Sequence, residues 1–133
     1  EEDYKYQNKK IFNQYLKAVK KAKRLSVNFR FRTNSYILDN RAQRDLKRVV
    51  SFFEKEENFD KKVILAGFTD SHGDYMYNYD LGSKRVKVIS DELRARGIIN
   101  IEEISVSEEL PVASNLNNSG RSKNRRVEVW LKD

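Results

Sequence analysis

Four consecutive apolar residues, Val63-Ile64-Leu65-Ala66, lie between Lys61-Lys62 and the turn-rich stretch Gly67-Phe68-Thr69-Asp70-Ser71-His72-Gly73. A short, continuous run of this kind is expected of a central strand covered on both sides. Such a strand needs helices above and below it, and the flanking sequence supplies three. Residues 1–23 carry Ile11, Phe12, Tyr15, Leu16 and Val19 at helical spacing. After Asp39, a plausible N-cap, Ala42, Leu46, Val49, Val50 and Phe53 share one helical face. A third helix is predicted from about Asp74 to Arg96, with Gly97 as its stop.

Elsewhere the period is two. Leu25, Val27, Phe29 and Phe31 alternate with Ser26, Asn28, Arg30 and Arg32, as in a half-buried strand. Ile101 to Val106 reads as another strand, and Val127, Val129 and Leu131, alternating with Glu128 and Trp130, as the last. Thr33 to Asn40 is polar enough for a loop, and residues 107–123 form a polar connection holding the only proline, Pro111. The order is α-β-α-β-α-β-β. There is no internal repeat and no low-complexity segment.

Composition narrows the function classes. With 133 residues the chain fits one domain, and its 38% hydrophobic and 35% charged residues suit a small domain whose helices have solvated outer faces. No stretch approaches the roughly 18 apolar residues that span a bilayer. The first residue is Glu1, not Met, as expected of a processed or excised piece of something longer. With no cysteine there is no disulfide or thiolate site, and a single His argues against a zinc site. A net charge of +7 favours an anionic partner. The lysines at 17, 20, 21 and 23 read as a solvated face or linker.

The chemistry concentrates at the join between the apolar run and the third helix. Asp70 lies just beyond the carboxyl end of the buried strand, where open α/β sheets place ligands. Asn78, Leu81, Arg85 and Val88 follow at helical spacing, which puts an amide, an apolar contact and a guanidinium on one face. If that face looks back to the loop, Asp70 and Arg85 flank one pocket suited to a zwitterion. The carboxylate takes an ammonium, and the guanidinium takes a carboxylate through two parallel bonds. The blander alternatives are that Asp70 is a turn former or cap and Arg85 a surface ion-pair partner.

Gly67-Phe68-Thr69-Asp70-Ser71, then Gly73, Asn78, Leu81 and Arg85, resembles the OmpA-like peptidoglycan-binding motif G-(H/Y/F)-T-D-x-x-G followed by N-x-x-L-S-x-x-R-A. The resemblance continues through Gly97-Ile98, Pro111, Asn115, Gly120-Arg121 and Asn124-Arg125-Arg126-Val127-Glu128, from about Leu25 to Asp133. It implies an α+β fold: a β-α-β-α-β-β arrangement of helices on a mixed sheet over residues 24–133, with residues 1–23 an extra N-terminal helix or linker. It also implies noncovalent binding of peptidoglycan, with Asp70 and Arg85 holding the zwitterionic end of diaminopimelate in the stem peptide. Arg125 lines the same site in some members, and Thr69, Asn78, Thr33 and Asn34 would shape the pocket.

The family resemblance implies no catalytic residue, cofactor or metal. It implies the periplasm of a Gram-negative bacterium, an anchoring role for a larger protein, outer-membrane association through the rest of that protein, and contacts with other envelope proteins. The block Phe31-Arg32-Thr33-Asn34-Ser35, with Glu108 to Asn115, looks most like OmpA-like domains fused to phosphate-binding-type periplasmic proteins; stator-type and Pal-type homologues are the alternatives.

Three positions depart from the family pattern. Gly82 and Val86 replace its Ser and Ala, and Gly82 marks a candidate close backbone contact. Phe29-Arg30-Phe31-Arg32 stands where the family often has F-x-F-D, so Arg30 and Arg32 would either repel the ligand's ammonium or contact a stem-peptide carboxylate. The family's glycines ahead of its G-E-x-x-P segment are replaced by Val106-Ser107-Glu108-Glu109-Leu110-Pro111.

A nucleic-acid binder is the competing class, motivated by the charge and by Tyr75, Tyr77 and Tyr79. Alternate positions on a helix cannot share a stacking face, so no nucleic-acid partner is expected. An enzyme has no nucleophile–base pair to work with, and His72 sits among turn formers.

Overall fold

A computed structural model describes residues 2–69, 75–107 and 124–133. The elements are α1 (Glu2–Val19), β1 (Lys23–Arg30), α2 (Asn40–Phe53), β2 (Lys62–Phe68), α3 (Tyr75–Ala95), β3 (Ile101–Ser107) and β4 (Arg126–Lys132). The class and element order are those expected. The first helix stops at Val19, four residues short of the expected end, because the chain turns there with Lys21 in the left-handed region at φ 65°. Asp39 caps α2: its carboxylate accepts from the Ala42 amide at 2.8 Å.

The strands form one mixed sheet in the order β1-β4-β2-β3. β4 runs antiparallel to both β1 and β2, whereas β2 and β3 are parallel. β2 is therefore an interior strand, and Val63 to Ala66 are all fully buried, as the continuous apolar run requires.

Alternation along the strands divides the side chains between two faces. Val63, Leu65, Val127, Val129 and Leu131 pack with Val27, Phe29 and Phe31 against Leu46, Val49, Phe53, Val86, Ile89 and Leu93 of α2 and α3. The opposite face carries Ala66, Phe68 and Val106, covered by Tyr15 together with Phe12 and Val19 of α1. The helix anticipated as an appendage or linker is thus packed against the sheet. Its apolar stripe is narrower than expected, since Leu16 is largely exposed. Lys17, Lys20, Lys21 and Lys23 are exposed, as a solvated face would be.

A charged network holds α1 down. The Glu128 carboxylate accepts from the Tyr15 hydroxyl at 2.7 Å and the Trp130 indole at 3.1 Å through Oε1. Its Oε2 takes Arg126 Nε at 2.9 Å and lies 3.3 Å from Arg24. The Arg126 guanidinium lies 3.9 Å from the centre of the Phe68 ring. Burial foremost, and then the bond to Glu128, raises the Tyr15 hydroxyl above the ordinary tyrosine range.

Candidate functional site

The site is built where β2 hands over to α3. These two elements approach so closely that a Cβ on Gly67 would stand 2.6 Å from Val86 Cγ2 and 2.8 Å from the Gly82 carbonyl oxygen. A Cβ on Gly82 would meet Ser105 Oγ at 2.6 Å. Gly82 is therefore the close contact that its place inside a helix suggested, and Gly67 is its counterpart on the strand. Ser105 Oγ donates to the Tyr79 carbonyl at 2.9 Å and ties β3 to the same helix.

This approach turns one face of α3 inward. Asn78, Leu81 and Arg85 are all buried, Arg85 completely. Its guanidinium is directed at the loop after β1, where Nε donates to the Ser35 carbonyl at 2.8 Å and a terminal nitrogen donates to the Arg32 carbonyl at 3.0 Å. The Phe31 ring lies below it, 5.2 Å from the guanidinium carbon. Arg85 was expected as a ligand-facing group. The structure gives it a structural task as well: it fixes the loop that carries Thr33 and Asn34.

Those two residues are exposed on that loop. Asn34 adopts a left-handed conformation (φ 55°), and its side-chain oxygen accepts from the Tyr77 hydroxyl at 3.0 Å. One of the three tyrosines considered for stacking is thus engaged in holding the loop to α3. Arg125 is half-buried at the start of β4, where its Nε donates to the Phe31 carbonyl at 2.8 Å. Arg85 and Arg125 therefore grip neighbouring carbonyls of the Phe31–Ser35 segment.

Thr69 and Asn78 lie on either side of the β2–α3 join, and both are buried. Thr69 Oγ1 and Asn78 Nδ2 have no hydrogen-bond partner among the described residues. Leaving a buried polar atom unmatched costs about 1–3 kcal/mol, so two of them in one place are a notable concentration. Asp70, Ser71, His72 and Gly73 lie outside the described residues, as do Pro111, Asn115, Gly120, Arg121 and the Glu108–Asn115 block.

Sequence reasoning missed the carbonyls of Arg32 and Ser35, because a backbone acceptor has no residue signature. It also missed the Phe31 ring as the seat of Arg85, although the two-residue period had already turned Phe31 inward.

These features define a small α+β domain with a guanidinium set behind a strand-to-helix join and steadied by main-chain acceptors. Residues 30–125 match the OmpA family, and the chain belongs to that family. The peptidoglycan-binding protein ArfA of Mycobacterium tuberculosis is 39% identical over 72 residues, covering 53% of this chain and 22% of that protein. The peptidoglycan-associated lipoprotein of Buchnera aphidicola is 29% identical over 117 residues, 86% of this chain and 64% of that protein. The chain thus spans less than two thirds of either relative's length. The crystal structure of the peptidoglycan-associated lipoprotein from Burkholderia pseudomallei has the same fold: TM-score 0.72 at 24% identity, over 79% of this chain and 89% of that one. Among the described residues, no helix is long and apolar enough to cross a membrane.

Proposed function

We propose that this domain binds peptidoglycan noncovalently, with Asp70 and Arg85 holding the zwitterionic end of diaminopimelate, and so anchors a larger envelope protein to the wall in the periplasm of a Gram-negative bacterium. The observation that carries this reading is the pair of buried, unmatched polar atoms, Thr69 Oγ1 and Asn78 Nδ2, at the join next to Asp70. A ligand with ammonium and carboxylate groups supplies what such atoms lack. It also gains from a guanidinium whose plane is already fixed by two carbonyls and a ring, since little ordering entropy is then lost on binding. The ammonium goes to Asp70 and the carboxylate to Arg85. Thr33, Asn34 and Arg125 act through the loop that they shape or hold. No bond is made or broken, so the domain is a binder and not an enzyme.

The relatives support the same ligand by name: one is a peptidoglycan-binding protein and the other a peptidoglycan-associated lipoprotein. Contacts with other envelope proteins would use surfaces away from this join. The test is co-sedimentation with purified diaminopimelate-type sacculi, using wild type, Asp70→Asn, Asn78→Ala and Arg85→Ala, each checked for folding by Trp130 fluorescence. Wild type is expected in the pellet, and the folded variants in the supernatant. Equal pelleting of wild type and a folded Asp70→Asn variant would refute the proposed grip.

A further inference from the structure

Beside the loop that Arg85 holds, at the end of β1, lies a cavity of about 200 Å³. Its wall includes Arg30, Arg32, Arg41 and Arg125, with Asp39 and Asp45 as the only acids. Both acids have tasks of their own. Asp39 caps α2, and Asp45 lies 3.5 Å from Arg48. The side chains of Arg30, Arg32 and Arg41 are exposed, and no ion pair joins them to a carboxylate among the described residues. The first turn of α2 opens at the same place, adding the positive end of a 14-residue helix. The cavity is therefore cationic, and it is small beside the roughly 300–1,000 Å³ of a drug-sized pocket. It suits a single oxyanion.

Its position ties it to the site already described. Phe31 lines the cavity, supplies the ring against Arg85 and gives its carbonyl to Arg125, so the Phe31–Arg32 backbone is the partition between the two places. A ligand lying over this loop could touch both.

We infer that the arginine-lined cavity is a second anion site, taking the free α-carboxylate of the glutamate that precedes diaminopimelate in the stem peptide. This rests on the peptidoglycan reading of the first site. Arg30 and Arg32, which stand where relatives often carry an acid, thereby become determinants of specificity: they favour stem peptides whose glutamate is a free acid over those in which it is an amide. Arg41, from α2, completes the set. Phosphate offers similar oxyanion chemistry and is the competing source.

Calorimetric titration with a soluble diaminopimelate muropeptide separates these cases when it is run with the glutamate carboxylate free and with it converted to the amide. Wild type is expected to prefer the free acid by about fivefold, the size suited to exposed, screened charges. Arg30→Gln/Arg41→Gln is expected to bind both forms as wild type binds the amide. Equal binding of both forms by wild type, or a preference that survives in the double variant, would overturn the inference and leave the diaminopimelate site standing. Failure of wild type to bind either form would remove the first site and this inference with it. Inorganic phosphate that shifts the arginine side-chain resonances of the cavity and is not displaced by the free-acid muropeptide would assign the cavity to phosphate and overturn the carboxylate assignment.

Discussion

Replacing Glu128 by Gln keeps the shape of the side chain and removes the charge on which the underside of the sheet is organised. In the native protein the two carboxylate oxygens serve four groups: Tyr15 and Trp130 on one, Arg126 and Arg24 on the other. The amide in Glu128→Gln would keep one oxygen and turn its nitrogen toward one of the two donor pairs. Arg126 is 2% exposed, and it would lose the carboxylate reached by both its Nε and a terminal nitrogen. Removing one partner of a buried ion pair costs about 3–5 kcal/mol, and the surviving amide oxygen lowers this to about 2–4 kcal/mol. With a urea dependence of about 2 kcal/mol per M, the unfolding midpoint should fall by about 1–2 M. Trp130, the sole tryptophan, sits in the network and reports the transition by fluorescence. Adding Arg126→Met removes the stranded charge and should restore at least half of the loss. A midpoint for Glu128→Gln within about 0.3 M of wild type, or no recovery in the double variant, would refute the reasoning.

Gly67→Ala is expected to destabilise the domain by about 2–3 kcal/mol, because the new methyl meets the Gly82 main chain, which cannot move without α3. Gly82→Ala should stay within about 1 kcal/mol of wild type, since Ser105 Oγ can rotate away and the helix gains from alanine; thermal unfolding of the two variants checks the contrast. The raised Tyr15 hydroxyl implies an alkaline dependence. The unfolded tyrosine ionises near pH ~10 while the folded one stays neutral, so its contribution is full below pH ~10 and is lost as the pH rises toward the higher folded value. Between about pH 9 and 11 wild type should lose about 1 kcal/mol more than Tyr15→Phe, and parallel urea-unfolding curves would contradict this.

Much of this architecture is written in hydrophobic period. The run Val63 to Ala66 marks an interior strand because only a strand covered on both faces can be apolar at every position. The alternation from Val127 to Leu131 places Glu128 and Trp130 on the opposite face, although nothing local says that Tyr15, 113 residues away in sequence, meets Glu128 there. For the same reason the first helix read as an appendage: its stripe is short, and its partners lie on strands distant in the chain. Of the site, the helical spacing of Asn78, Leu81 and Arg85 correctly put all three on one buried face. The direction of the Arg85 guanidinium was illegible, because it is set by the carbonyls of Arg32 and Ser35, which any residue would offer. Arg41 gave no signal, since its role depends on where the N-terminus of α2 meets the end of β1.

The central claim is that Asp70 and Arg85 recognise an ammonium and a carboxylate on one side-chain terminus. Lysine-type peptidoglycan keeps the ammonium and lacks that carboxylate, so parallel binding isotherms on diaminopimelate-type and lysine-type sacculi test the claim most directly. Saturable binding to the first, with at least tenfold weaker binding to the second, is the expected result; tenfold corresponds to about 1.4 kcal/mol, at the lower end for one charge-assisted bond. Equal affinity for the two walls would contradict the account.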